Sequence, residues 1–314
     1  MSNTPQPDSI WDGLAAAGGR GMNRPVPKMT SEAELTKLGK RAQRNWRIKI
    51  WAGRAVLLVV IIGGWQLCTS YPGTKDGDHL VNPFFFGKPS KIWTALVDLF
   101  QNGTSIGNIW TDIWVTAESA LLGFGIGLLA GVILGVLLGS SRFLAETIGP
   151  FLKALNAIPR IVLGSIFFIA FGTGSFPAEL LAGVLVFFVV FFNAFQGVRE
   201  VDQNVLANVR VLGASRWQIA RHATLPSALT WIIASLHTAF GFAIVGVLVQ
   251  EILGSQHGLG LVIHNAQNNF DAQTLFACIF IVMVMVLIAE TGISFVERRL
   301  LSWRPPSASE GAGI

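Results

Sequence analysis

The sequence predicts an all-α membrane protein with six transmembrane helices, and three observations support this fold class. Hydrophobic residues make up 52% of the 314-residue chain and charged residues only 13%, whereas soluble domains carry roughly 25% charged residues. Several apolar runs reach about 20 residues, the length that a helix needs to cross a bilayer. Glycine is abundant, at 34 residues, which allows close helix packing in lipid. A soluble globular protein, a disordered chain and a collagen-like fibre are excluded.

Apolar runs of this length define the predicted spans. They lie at about 50–70, 113–139, 150–171, 177–197, 227–250 and 274–296. Pro159 and Arg160 interrupt the third run, which makes it the least regular. We expect a transmembrane domain over 46–304, a disordered or amphipathic tail over 1–45 with a capping box at Ser31 and Glu34, and a short tail over 305–314.

The net charge of +5 is a topology signal. Residues 1–54 contain ten Lys and Arg and four Asp and Glu, so their net charge is +6 and that of the remaining chain is −1. The connection 198–226 contains four arginines, whereas the connections 172–176 and 252–273 contain no Lys or Arg. Because cytoplasmic loops are enriched in these residues, both termini are predicted to be cytoplasmic. A basic tail of this kind favours a lipid bilayer over nucleic acid as the partner.

No catalytic, metal-binding or nucleotide-binding pattern is apparent in the sequence. Cys68 and Cys278 both fall in apolar spans, so neither a disulfide framework nor a metal cluster is predicted. The histidines lack the spacing of metal ligands, and no GxxxxGK[ST] loop for ATP is present. In the first outer loop, Pro89-Ser90-Lys91 precedes apolar residues at helical spacing, which predicts a short amphipathic helix at the outer interface.

The second span carries a glycine at every fourth position. These residues are Gly123, Gly127, Gly131, Gly135 and Gly139. On a helix they share one face, where a neighbouring backbone can approach closely. The stripe predicts tight helix packing, either as a fixed contact or as a sliding, gating one.

The connection 198–226 is long for a helix connection in a membrane bundle. Its pattern predicts a helix over 204–212, a break at Gly213 in the left-handed conformation, a second helix capped by Ser215, and a new span that begins at Leu225 and Pro226. Two short helices at a cytoplasmic face favour a docking module for another protein over an idle connection.

This connection resembles the EAA loop of permeases in ATP-binding-cassette importers. The matching positions are Arg210, Leu212, Gly213, Ala214, Ser215, Trp217, Leu225 and Pro226. Ala207, Asn208 and Val209 stand where the family has Glu-Ala-Ala, so the acidic opening is missing. The resemblance implies that the helix around 205–215 is a coupling helix that fits a groove in an ATPase.

Other stretches resemble the subfamily that serves taurine, alkanesulfonates and nitrate. They are Pro89-Ser90-Lys91, Ala157 to Ile161, Phe171 to Gly174, Glu251, Gly254, Gly258 to Gly260, and Glu297 to Trp303. The resemblance covers roughly residues 50–304. It implies a bacterial inner-membrane permease that forms a homodimer, binds two cytoplasmic ATPases and receives a small, anionic solute from a periplasmic binding protein. This chain would bind no cofactor and catalyse no reaction, since ATP and Mg²⁺ belong to the ATPase.

Polar residues inside spans are costly and are therefore candidates for function. For Arg160, we expect either attraction of an anionic substrate or an ion pair with Glu146 or Glu290. For Glu251, the alternatives are a contact that holds a gate closed and exposure to water. Asn193 and Gln196 line a pathway or hydrogen-bond between helices, and His237 is expected to pack and hydrogen-bond.

Two other classes of membrane protein fit this sequence less well than an importer permease does. A stand-alone secondary transporter or channel favours an inverted repeat with paired broken helices, and no internal repeat is visible. A membrane enzyme requires paired carboxylates or histidine clusters at one face. The docking loop and the missing nucleotide motifs favour the permease.

Overall fold

The protein is described by a computed structural model that covers residues 32–71, 81–104, 106–201, 208–209 and 211–300. Side chains are described from residue 44 onward, except those of 216, 220 and 223. The chain divides into two compact units, residues 1–63 and 64–314. The predicted tail up to residue 31, including Ser31 of the capping box, and the tail 305–314 lie outside the described residues.

Helices account for nearly all of the described chain. They are α1 (Glu32–Ser70), α2 (Pro83–Phe86), α3 (Pro89–Asn102), α4 (Ile109–Ser140), α5 (Arg142–Asn156), α6 (Arg160–Phe171), α7 (Ser175–Arg199), α8 (Arg216–Ile219), a π-helical turn (Ala220–Thr224), α9 (Leu225–Gly254), α10 (Leu259–Asn268) and α11 (Ala272–Leu300). Within the described ranges the only β-type pairing is an isolated bridge between Thr104 and Gly107.

Long apolar helices lie where five of the six spans were predicted. Among the described residues, α1 from Arg44 onward, α4, α7, α9 and α11 are long and apolar enough to cross a membrane. The helices exceed the predicted spans by a few residues at most ends, since the polar or small terminal residues continue the helix beyond the apolar run. The predicted amphipathic helix after Pro89 is α3, which buries Leu96 and Leu99.

The third span was predicted as a single run over 150–171. The structure instead has two helices there, α5 and α6, with a bend of 85° between them. Pro159 stands at the N-cap of α6 with φ −59° and ψ 119°. Proline cannot donate a backbone hydrogen bond and forces the preceding residue out of the helical region, so α5 ends at Asn156. Neither α5 nor α6 is long enough to span the hydrocarbon core of about 30 Å by itself.

The outer connection 252–273, for which no helix was predicted, also contains one. Helix α10 occupies Leu259–Asn268 and buries Leu259, Val262, Ile263 and Ala266. Leu259, Val262 and Ile263 belong to a hydrophobic cluster that also contains residues of α3 and α11. The last turns of α1 join the same region, where the rings of Trp65 and Phe276 are 5.2 Å apart.

Helix α7 forms the centre of the larger unit, because α4 and α9 pack along it. A Cβ atom added to Gly123 would lie 2.6 Å from that of Ala182, and one added to Gly139 would lie 2.9 Å from that of Val198. The intervening glycines meet Val186, Val190 and Ala194, so each glycine faces the residue 59 positions later. A constant offset means that α4 and α7 run parallel without a shift in register, and the predicted tight packing is confirmed.

Candidate functional site

The predicted docking segment (residues 207–226) contains a turn that ends at a glycine. Gly213 has φ +81°, and the Ala214 N–H donates to the carbonyl oxygen of Val209 at 3.2 Å. This bond closes the end of the short helix in the manner of a left-handed C-cap, which confirms the predicted role of Gly213 in the backbone. Ala207 and Arg210 lie outside the described residues.

The helix that follows is capped as predicted. The Gln218 N–H donates to Ser215 Oγ at 3.3 Å, and the Ser215 N–H donates to Gln218 Oε1 at 2.8 Å. This reciprocal pair is a capping box. Helix α9 begins at Leu225, as predicted. It follows α8 and the π-helical turn without an intervening loop. Pro226 lies in the first turn of α9, directly after the π-helical turn.

Large apolar side chains on this segment project away from the protein. Val211 is 87% exposed, Leu212 84% and Trp217 73%. The segment stands on a rigid base, because Ser227 Oγ donates to the Gly197 carbonyl oxygen at 3.1 Å. A Cβ atom on Gly197 would lie 2.9 Å from Ala228 Cα, so the end of α7 and the start of α9 are in direct backbone contact.

The other end of the bundle carries a buried polar cluster, which we call the Glu251 cluster (Asp112, Thr116, Glu251 and the backbone of 258–260). Glu251 is 1% exposed. Thr116 Oγ1 donates to Glu251 Oε1 at 2.8 Å, and the Gly260 N–H donates to Glu251 Oε2 at 2.7 Å. Of the two predicted alternatives for Glu251, exposure to water is therefore wrong.

The Glu251 cluster satisfies the free backbone donors at the start of α10. The Leu259 N–H donates to Thr116 Oγ1 at 2.9 Å, and the Gly258 N–H donates to Asp112 Oδ1 at 3.0 Å. Carboxylates at a helix N-terminus also interact favourably with the helix dipole. The cluster therefore ties α10 to α4 and α9.

Glycines in this region make room for the Glu251 carboxylate. Gly258 has φ +114°, and a Cβ atom there would collide with the Glu251 carboxyl group. A Cβ atom on Gly260 would lie 2.6 Å from Glu251 Cβ. At Gly254, a side chain would overlap the ring of Phe168 on α6. Gly258 and Gly260 thus make room for Glu251, whereas Gly254 makes room for Phe168.

Arg160 lies at the break between α5 and α6. Its Nη2 donates to Asn156 Oδ1 at 3.2 Å, and its guanidinium carbon is 5.8 Å from the centre of the Phe242 ring, near the middle of α9. Both suggested ionic partners are engaged elsewhere: Glu146 pairs with Arg142 at 2.7 Å, and Glu290 contacts His237. The predicted pairing of Arg160 with either glutamate is wrong.

The remaining polar candidates are distributed over separate places. Asn193 Nδ2 donates to the Val189 carbonyl oxygen of its own helix at 2.8 Å, and Gln196 is exposed near the end of α7. His237 contacts Glu290 through Nδ1 and lies 3.1 Å from Glu297 through Nε2, so its predicted hydrogen bonding is confirmed. None of Arg160, Asn193, Gln196 and Glu251 lines either of the two best-defined cavities among the described residues.

Sequence reasoning missed Asp112 and Thr116. They lie four residues apart on the first turns of α4 and are 2% and 0% exposed. The available signal was two polar residues on the face that continues into the glycine stripe. Within the described parts of the chain, no group of three His, Cys, Asp or Glu residues could hold a metal ion.

Comparisons with known proteins agree with this architecture. The family model described as "Binding-protein-dependent transport system inner membrane component" matches residues 127–302, more than half of the chain. A protein of Bacillus subtilis (strain 168), named as an aliphatic sulfonates transport permease, is 29% identical over 279 residues, which cover 89% of this chain and 95% of the relative.

Two further comparisons concern a relative that is named for another solute and a solved transporter structure. The riboflavin transport system permease protein of Chloroflexus aurantiacus (strain ATCC 29366 / DSM 635 / J-10-fl) is 26% identical over 280 residues, covering 88% of this chain and 99% of the relative. A crystal structure of an amino acid ABC transporter with histidines aligns with a TM-score of 0.50 at 16% identity, covering 67% of this chain and 96% of that one. At this identity the alignment supports the fold alone.

The match over more than half of the chain is sufficient to assign the family. Such permeases are multi-pass proteins of the bacterial inner membrane and are not enzymes; they pair with separate ATPase and binding-protein partners. The family assignment replaces the alternatives of a stand-alone secondary transporter, a channel or a membrane enzyme. The chain belongs to the binding-protein-dependent transport system inner membrane components, the permease subunits of ATP-binding-cassette importers.

Proposed function

We propose that this chain forms, with a second copy of itself, the membrane pathway for a small anionic solute of the sulfonate, taurine or nitrate type. A periplasmic binding protein delivers the solute. Two cytoplasmic ATPase subunits, which hold ATP and Mg²⁺, drive the change between inward-open and outward-open states. Both termini of the chain are cytoplasmic.

Arg160 carries the proposal of an anionic solute. It stands at the N-terminus of α6, the second half of a broken helix, where the helix dipole adds positive potential. Broken helices in transporters commonly direct such N-termini at anionic groups of the substrate. Among the residues that the structure describes, no carboxylate forms a salt bridge with Arg160. Its two contacts, with Asn156 and Phe242, leave its charge uncompensated.

The names of the relatives leave the solute open between two chemistries. One relative is named for aliphatic sulfonates and another for riboflavin. An arginine at the bend without a carboxylate partner favours an anion over a neutral molecule, because a guanidinium group forms charge-assisted, bidentate hydrogen bonds with anionic oxygens. On this ground the sulfonate-like class is proposed here.

The segment 207–226 is proposed as the contact with the ATPase. Exposed apolar side chains at Val211, Leu212 and Trp217 are unfavourable in water, and burying them in a groove of a partner protein releases that cost. The close contact of Gly197 with the start of α9 provides a path by which movement of the segment reaches α7 and α9 together.

The test is uptake by proteoliposomes that contain the permease, its ATPase and its binding protein. Radiolabelled taurine, an alkanesulfonate and nitrate are supplied in turn, and unlabelled riboflavin serves as the neutral competitor. We expect uptake of one of these solutes, each of which is an anion or carries an anionic sulfonate group, and no competition by riboflavin. Replacing Arg160→Gln should lower the uptake rate about 10-fold to 100-fold, since a hydrogen bond to a charged group is worth about 1.5–3 kcal/mol, whereas Arg160→Lys should retain more of it.

Arg142→Gln is the matched control, because Arg142 is exposed and already paired with Glu146. ATPase activity in the absence of solute should be unchanged in all three variants. Uptake of riboflavin in place of an anion, or wild-type uptake by Arg160→Gln, would disprove the anionic assignment.

A further inference from the structure

A cavity of about 310 Å³ lies between α5, the end of α4 and the last turns of α7. Its inner wall is apolar and contains Leu138, Phe191, Phe192 and Phe195. Glu146, Lys153 and Arg199 supply its charged groups, and the lining is completed by Ala145, Gly149 and Pro150. The cavity is separate from Arg160 and from the Glu251 cluster, neither of which lines it.

The charge of this cavity is positive. The Glu146 carboxylate is 2.7 Å from the guanidinium group of Arg142, one helical turn earlier. Arg142 therefore compensates the negative charge of Glu146. Lys153 and Arg199 form no salt bridge with any carboxylate among the described residues. Arg199 instead lies with its guanidinium carbon 5.3 Å from the centre of the Phe195 ring, which holds its charge beside the apolar wall.

The cavity lies at the end of the bundle that carries the docking segment. Arg199 is the last residue of α7, and Leu138 is two residues from the end of α4. On the predicted topology this end is cytoplasmic. The flank of α5 is also apolar and exposed, with Phe143 at 76% and Phe151 at 70%, as expected of a helix that faces lipid.

We propose that this cavity binds an anionic phospholipid of the cytoplasmic leaflet. The phosphate lies between Lys153 and Arg199, and the start of an acyl chain packs on the phenylalanine wall. Basic pockets between helices on the cytoplasmic side suit anionic headgroups. An aliphatic chain accounts for the apolar wall, which a free phosphate or a soluble organic phosphate would leave uncovered. This inference is independent of the transported solute.

The test is native mass spectrometry of the delipidated full-length chain titrated with phosphatidylglycerol. Phosphatidylcholine with the same acyl chains tests whether binding requires a negatively charged headgroup. Glycerol 3-phosphate, added as a competitor, tests whether a soluble phosphate without acyl chains occupies the same site. We expect the chain to retain phosphatidylglycerol in preference to phosphatidylcholine, with no displacement by glycerol 3-phosphate. The double variant Lys153→Gln with Arg199→Gln should bind phosphatidylglycerol about 25-fold more weakly, because each cation near the membrane surface contributes about a factor of five.

Two further variants separate the cavity from general attraction of charge. A Cβ atom on Gly149 has no neighbour within 4 Å, so a side chain can be added there, and Gly149→Phe brings a large ring to the cavity lining while leaving every charge in place. It should abolish the preference for phosphatidylglycerol. Arg298→Gln removes a cation from the predicted cytoplasmic end of α11, outside the cavity lining, and should leave binding unchanged.

Several results would overturn the proposal. They are equal retention of the two lipids, displacement by glycerol 3-phosphate, and unaltered binding by Gly149→Phe. A second copy of the chain seated on the cavity would also overturn it. Disulfide cross-linking between copies of Gly149→Cys, with Cys68 and Cys278 replaced, would reveal that arrangement.

Discussion

Glu251 is an ionisable residue buried within an apolar helix, where an unpaired charge would be strongly destabilising. Its two carboxylate oxygens accept hydrogen bonds from Thr116 on α4 and from the backbone of Gly260 on α10. The same side chain therefore connects three helices. Burial raises the value of each bond, because water cannot replace a lost partner.

We predict that Glu251→Ala lowers the free energy of unfolding by about 2–3 kcal/mol, since it removes buried hydrogen bonds and leaves the Gly260 N–H buried without a partner. Glu251→Gln should cost less, because the amide oxygen can still accept one hydrogen bond. Denaturant unfolding in detergent measures the loss, and hydrogen exchange at the Gly260 amide reports on α10 directly.

Glu146→Gln is the control for this pair of variants. Glu146 is 65% exposed and paired only with Arg142, so its loss should cost less than about 0.5 kcal/mol. Equal stability of Glu251→Ala and the wild type, with unchanged exchange at Gly260, would show that the cluster does not hold α10.

At the scale of helices, the packing of α4 on α7 is set by small residues on both sides. The glycines of α4 face Ala182, Val186, Val190, Ala194 and Val198 of α7. Both sets repeat every four residues, so the two faces drift around their helices at the same rate and stay in contact over about 16 residues. From the sequence, only the glycines of α4 were recognised as part of this contact, and the facing residues of α7 were not.

Gly127→Ala should therefore destabilise the protein. The added Cβ atom would lie 2.7 Å from Val186 Cβ and would also collide with the Gly183 carbonyl oxygen. Overpacking of this kind costs about 1–3 kcal/mol. The free energy of unfolding in mixed micelles is the measurement.

Gly125→Ala is a matched control on the same helix, because its added Cβ atom meets nothing within 4 Å. It should be neutral or stabilising by up to about 1 kcal/mol, as for any Gly to Ala change in a helix. If both variants lose the same stability, close packing at the stripe is not the cause.

The docking segment depends on one backbone conformation. Gly213 has φ +81°, which proline cannot adopt because its ring holds φ near −65°. We predict that Gly213→Pro abolishes co-purification of the ATPase while membrane insertion stays normal. Gly213→Asn is the conservative variant, because asparagine tolerates the left-handed region, and it should retain most of the binding. Full ATPase binding and uptake by Gly213→Pro would contradict the role of this segment.

At the scale of the whole molecule, the predicted topology places the docking segment and α10 on opposite sides of the membrane. Val211 and Gln267 are exposed residues in these two regions. In a chain with Cys68 and Cys278 replaced, Val211→Cys should react with a membrane-impermeant maleimide only in inverted vesicles, and Gln267→Cys only in intact spheroplasts. Labelling from the same side would exclude cytoplasmic termini with six spans.

Much of the larger unit could be predicted because helix formation in a membrane depends on local properties. Apolar length, glycine spacing and the positions of Lys and Arg are read within windows of about 20 residues. The turn at Gly213, the cap at Ser215 and helix α3 followed from the same kind of local pattern. Helix α10 could not be recognised, since its apolar face is short and its first turn depends on partners in α4 and α9.

The sequence by itself determined the membrane class, the places of the apolar helices and the glycine that ends the docking helix. The tertiary structure alone decided which polar groups meet. It bends the third span by 85° at Pro159, leaves Arg160 without a carboxylate among the described residues, and brings Thr116 to Glu251 across 135 positions of sequence. The physical reason is that a helix follows from its own residues, whereas a buried charge is stabilised only by groups that folding brings to it from other helices.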